Sequence, residues 1–184
     1  MNVKNDSEYL KKFINKDGLD LTSLIDADFF QPIRILFKKE HYVSSAKLLL
    51  VTIDSIAYIE YGDAYKNPFI RWLNTYVKLA DLGISADELW EHRNALLHMS
   101  NLDSRKNRSG QIRKLIFYVG ILPKYIQISD ATTGYYSLTN LITALAIGIE
   151  KWGNTYNSDR HKIYSFIERY DLIASDARMV KLTT

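Results

Sequence analysis

An arginine, an asparagine and a histidine, Arg93, Asn94 and His98, interrupt a segment that otherwise reads as an amphipathic helix. A guanidinium is always charged and presents a planar fork of donors that suits phosphate oxygens. An imidazole titrates at about 6.5 in its ordinary state and so moves protons near neutral pH. Together these groups suit the attack of an RNA 2′-hydroxyl on the adjacent phosphate. His98 would take the proton, and Arg93 would meet the charge that builds on the non-bridging oxygens. Asn94 would orient His98 or donate to the phosphate. Each residue also has a plainer role. A histidine near a helix end caps carbonyls or answers the macrodipole, and an asparagine is at home on a solvated helix face. Arg93 could be half of a structural ion pair with Asp54, a carboxylate on a largely apolar stretch that needs a counter-charge of its own. Such a pair could equally orient Arg93 for chemistry.

The helix that must position these groups has a clear start. Ser85 with Glu88 three residues on forms a capping box. From there Ala86, Leu89, Trp90, Leu96 and Leu97 fall in one arc at the helical period, with Arg93 near its centre. Arg93 and His98 are five residues apart, roughly 140° around an ideal α-helix. Their side chains do not converge unless Arg93 bends across, whereas a two-fold pairing of this helix would let both residues of each chain line one groove. Asp87 and Glu91 share the side of His98, and Glu91 is a supporting candidate. His92 points to another face and is expected in solvent. His41 and His161 have no ligand at metal spacing, so neither a metal nor another cofactor is expected.

Leu89-Trp90-Glu91-His92-Arg93-Asn94-Ala95-Leu96-Leu97-His98 resembles the Arg-polar-x-x-x-His signature of the HEPN superfamily. The resemblance implies an α-helical domain that dimerises through the motif helix, with a composite cleft between the protomers. It also implies metal-independent endoribonuclease activity leaving a 2′,3′-cyclic phosphate, with Arg93, Asn94 and His98 as catalytic residues. The settings it implies are toxin, phage-defence or RNA-processing ones, in which an antitoxin or other protein partner is also expected. The alternative within the same resemblance is a non-catalytic module that dimerises or binds nucleic acid or protein, its polar cluster holding an interface.

The 184 residues carry a net charge of +3, with 47% hydrophobic and 24% charged, the balance of an ordinary globular chain rather than a disordered one. The lack of cysteine excludes thiol catalysis, disulfides and cysteine-based zinc sites. The polar first dozen residues do not read as a signal peptide, and the apolar runs 46–59 and 138–149 are broken by Asp54 and Asn140. A cytoplasmic protein without a membrane segment is expected. Positive charge gathers just after the motif, where Arg105, Lys106, Arg108, Arg113 and Lys114 stand against Asp103 alone. Such a run either grips a polyanion such as RNA or is a solvated loop.

The expected fold is mainly α: about six helices in a single domain over 1–184, four of them forming a HEPN-like bundle. A core bundle spans 29–100, with helices over 29–40, 41–61 and 68–79 and the motif helix over 86–100. It follows a short helix over 7–15 and a break at Gly18. A basic loop comes next over 101–128. Within it, 114–128 holds two β-rich runs that read either as a hairpin or as helix. Helices over 138–152 and 159–173 close the chain, the first capped by Ser137. Tyr118, Tyr135 and Tyr136 are the tyrosines expected near a binding surface.

Overall fold

The computed structural model describes residues 9–16, 18–99, 102–126, 130–159 and 161–173, and the fold is mainly helical. A short antiparallel pair, β1 (Ile14–Asn15) and β2 (Gly18–Leu19), leads into α1 (Leu21–Ile25), which Asp20 caps by accepting from the Ser23 amide. A π-helical turn, Asp26–Phe30, passes directly into α2 (Gln31–Lys38), with Pro32 in its first turn. Residues 9–11 are helical and 14–15 are strand, so the described part of the expected 7–15 helix is shorter, while Ser7 lies outside the described residues.

The bundle is organised around α3 (Tyr42–Tyr61), which Gly62 ends at a φ of 55°. Ala46, Leu50, Ile53 and Ala57 point into the core as their spacing requires, but Val43, first in the same stripe, is exposed. Among the described residues α3 is the one helix long and apolar enough to cross a membrane. It packs instead against α2, α4 (Pro68–Tyr76) and α8 (His161–Tyr170). After a 3-10 turn (Leu79–Leu82) and the left-handed Gly83, the motif helix α5 (Ala86–Asn94) begins at Ser85 with both halves of the capping box made. A second π-helical turn, Ala95–Met99, continues it.

The segment after the motif differs from expectation. Arg105–Arg108 forms one short helical turn, α6, capped by Ser104 and Asn107. The expected strand exists as β3 (Lys114–Tyr118), but its partner is β4 (Thr133–Ser137), and the pair is parallel. Pro123 and the turn at 124–126 keep the second apolar run out of the ladder, and its last residues, 127 and 128, lie outside the described residues. A parallel pair needs a long connection rather than a tight turn, and 119–132 supplies it. Ser137 then caps α7 (Leu138–Ser158), six residues longer at its C-terminal end than its apolar period suggested.

A polar knot joins four helices, α3, α4, α7 and α8, at one end of the bundle. The Glu60 carboxylate, 8% exposed, accepts from Trp152 Nε1 (2.8 Å), Tyr156 Oη (3.1 Å), Tyr76 Oη (3.2 Å) and Lys162 Nζ (2.7 Å). Burial opposes its charge, but the Lys162 and Trp152 hydrogen bonds outweigh burial and hold the carboxyl below its ordinary value. Glu60→Gln keeps the shape and removes the charge these donors share. It is expected to cost about 1.5–3 kcal/mol, the range for hydrogen bonds to charged groups. The reading is a lower urea midpoint at unchanged slope.

Candidate functional site

The site is assembled where α5 leans on α3. Arg93 Nε donates to Asp54 Oδ2 at 2.7 Å, and Nη2 lies 2.6 Å from the same oxygen. Its remaining terminal nitrogen, Nη1, reaches Asn94 Oδ1 at 3.1 Å and His98 Nε2 at 3.0 Å. The ion pair anticipated between Arg93 and Asp54 is therefore made, and the three motif residues meet within one chain. Convergence was not expected from ideal helix geometry. The π-helical turn over Ala95–Met99, which carries His98, narrows their angular separation, and the long Arg93 side chain spans what remains. The two side chains therefore meet within one protomer.

Hydrogen-bond logic fixes the protonation of this cluster. Arginine has donors only, so His98 Nε2 must accept, and the imidazole bonded to Arg93 is neutral with its proton on Nδ1. Asn94 accepts through its carbonyl oxygen. Arg93 and Asp54 are partly buried, with side chains 19% and 27% exposed, whereas His98 stands at the surface. Burial is the largest influence on Asp54. It raises the carboxyl above its ordinary value, against the lowering by the charge and hydrogen bond of Arg93. The Arg93 guanidinium also lies over the Trp90 ring, 5.1 Å from its centroid.

The neighbouring candidates fare differently. Glu91 is buried and lies 3.0 Å from Lys106 Nζ, and among the described residues no hydrogen bond links it to His98. Arg113 is tied to Glu88 at 2.5 Å and donates to the Gly83 carbonyl at 3.0 Å. Burial works against Glu88, but the Arg113 bond and the Ser85 amide outweigh it and hold the carboxyl low. Lys114 sits 3.5 Å from Asp103. Three of the five basic residues are thus matched by carboxylates, two of them from the motif helix itself. Arg105 and Arg108 have no carboxylate partner among the described residues, although Arg108 donates to the Asp103 carbonyl at 3.3 Å. Lys106 and Arg113 thus tie α6 and the start of β3 to α5, while Arg105 and Arg108 remain exposed.

His92 is the clearest reversal. Expected in solvent, it is 1% exposed, and neither ring nitrogen has a hydrogen-bond partner. The β3–β4 pair covers it, with Phe117 and Tyr136 edge-on at centroid distances of 6.4 and 5.8 Å. Burial alone pulls its pKa down to about 4. Tyr136 is buried beside it at 2% exposure, not at a surface, while Tyr118 and Tyr135 are half-buried. Among the described residues, no three His, Asp or Glu side chains come together as a metal-binding set. Comparison with protein-family models, with curated proteins and with solved structures finds no match to this chain.

Proposed function

We propose that the chain is a metal-independent endoribonuclease of the HEPN type. The observation that carries this reading is the meeting of Arg93, Asn94 and His98 at one exposed edge, with a neutral imidazole and a guanidinium in direct contact. The motif resemblance points the same way. An incoming phosphate would draw Arg93 Nη1 away from His98, freeing Nε2 to take the proton of the 2′-hydroxyl. The 2′-oxygen then bonds to phosphorus and the P–O5′ bond breaks. The imidazolium returns its proton to the departing 5′-oxygen, and a 2′,3′-cyclic phosphate remains. Asp54 holds Nε and Nη2 of Arg93 throughout, so that only Nη1 changes partner.

The partly or fully exposed residues of α5 and its π turn, Asp87, Trp90, Arg93, Asn94, Leu97 and His98, form a stripe. Pairing of two copies along that stripe, as the resemblance implies, would set two clusters side by side. A second reading is favoured by one observation. Arg93 already contacts Asp54, Asn94 and His98 within a single chain, which suits a structural stitch between α3 and α5 in a non-catalytic binding module. The deciding experiment incubates mixed-sequence RNA with the protein in EDTA and reads the new 3′ ends. Cleavage leaving 2′,3′-cyclic phosphates is expected. Intact RNA across varied sequences would remove the enzyme reading and leave the module.

A further inference from the structure

A cavity of about 210 Å³ opens beside the cluster, and Asp54 belongs to both. Its walls come from three places in the chain: Asp54 and Tyr58 one turn apart on α3, Lys66 and Asn67 ahead of α4, and Phe69 with Trp90. This volume lies below the roughly 300 Å³ at which drug-sized sites begin, so it suits a single flat ring system rather than a whole nucleotide. Aromatic and apolar walls with a few fixed polar groups are the composition of a base-binding pocket.

The polar groups are pre-set. Arg93 occupies Asp54 Oδ2, and no donor reaches Oδ1 among the described residues, so that oxygen remains as an acceptor for a ligand. Asn67 Oδ1 is held by the Ile70 amide at 3.1 Å, the N-cap of α4, which fixes the amide so that its Nδ2 can only be offered as a donor. One anionic acceptor and one oriented donor match a base that carries an amino group beside a ring nitrogen acceptor. Cytosine presents N4–H₂ and N3 in that relation, and a carboxylate accepting from N4 is a known base-edge pairing. Uracil, of the same size, presents a carbonyl oxygen that repels the carboxylate and an N–H that meets the Asn67 donor.

Resting on the ribonuclease reading, we propose that this cavity is a nucleobase subsite that holds an amino-bearing base next to the reacting phosphate and so selects where RNA is bound. Lys66, exposed at the rim, adds positive charge.

The test measures dissociation constants by titration calorimetry for cytidine 5′-monophosphate, uridine 5′-monophosphate, cytidine and ribose 5-phosphate. The wild type is expected to bind the cytidine nucleotide at least tenfold more tightly than the uridine nucleotide, which is about 1.4 kcal/mol. Asn67→Asp keeps the helix cap but turns the donor into an acceptor, and it should bring that ratio to one or below. Asn67→Ser also caps, is too short to reach the base and adds no charge, and should likewise abolish the preference. Equal affinity for the two nucleotides and ribose 5-phosphate would overturn the base subsite alone. Binding of cytidine without any binding of ribose 5-phosphate would uphold the subsite and overturn the phosphate role of the Arg93 cluster. No binding of any probe would overturn both.

Discussion

His98→Ala is expected to lower RNA cleavage by about 10²–10⁴-fold, the usual contribution of a positioned general acid or base, while thermal unfolding stays near that of the parent. The separation of the two readouts follows from where His98 stands. It is exposed, and an exposed substitution outside the core usually changes stability by no more than about 0.5 kcal/mol. Arg93→Ala behaves differently because it strands Asp54. Removing one partner of a fully buried pair costs about 3–5 kcal/mol. Arg93 and Asp54 are 19% and 27% exposed, so solvent screening reduces the expected loss to about 1–2 kcal/mol. Arg93→Lys retains the charge but loses the fork that spans Asp54, Asn94 and His98, and it should recover more stability than activity. If the cluster is only a stitch between α3 and α5, the order reverses: His98→Ala lowers the unfolding temperature and leaves any cleavage untouched.

The start of the motif helix and the span of the central helix are legible in the sequence because their signals are local. Ser85 and Glu88 bond each other across one turn, and Gly62 ends α3 with a positive φ that its neighbours could not adopt as easily. The Arg93–Asp54 pair is legible for a related reason: each charge sits on an apolar face, and each needs the other. The convergence of Arg93 with His98 is not. It combines the reach of the Arg93 side chain with a π-helical turn over Ala95–Met99, a backbone choice of one widened turn that side-chain periodicity at the α-helical spacing cannot reveal.

Beyond the motif, the pairing of the strand is not legible, for a non-local reason. The apolar run at 114–118 declares itself a strand, but its partner lies at 133–137, across a loop that contains the nearer and more obvious candidate. Once β3 and β4 pair in parallel, they form a plate that closes over α5, burying His92 and Tyr136, and Arg113 just ahead of β3 pairs with Glu88. One wrong pairing therefore carries two errors with it: the solvated histidine and the exposed Tyr136. The Glu60 knot is hidden in the same way, since its four donors come from α4, α7 and α8 and sequence spacing on α3 says nothing of them.

The buried histidine makes the fold sensitive to mild acid, with a sign set by its shift. His92 has a pKa of about 4 in the folded chain against an ordinary 6.5, so between those values the unfolded chain binds a proton that the folded chain refuses. Stability is therefore full above about pH 6.5 and declines as the pH falls toward 4. At about 1.4 kcal/mol per unit the total loss is about 3 kcal/mol. No discount for solvent applies to a side chain that is 1% exposed. His92→Phe replaces an aromatic ring whose nitrogens have no partners with one that has no nitrogens to satisfy. Because both ring nitrogens are already unpaired, the change should be close to neutral or stabilising at pH 7. Below pH 6 the variant should outlast the parent by a margin that grows toward about 3 kcal/mol, read as the difference between their urea-unfolding free energies at pH 7, 6, 5 and 4.5. Parallel curves for the two proteins would mean that the imidazole takes up its proton in the folded state without penalty, and that the plate of β3 and β4 opens to let water reach it.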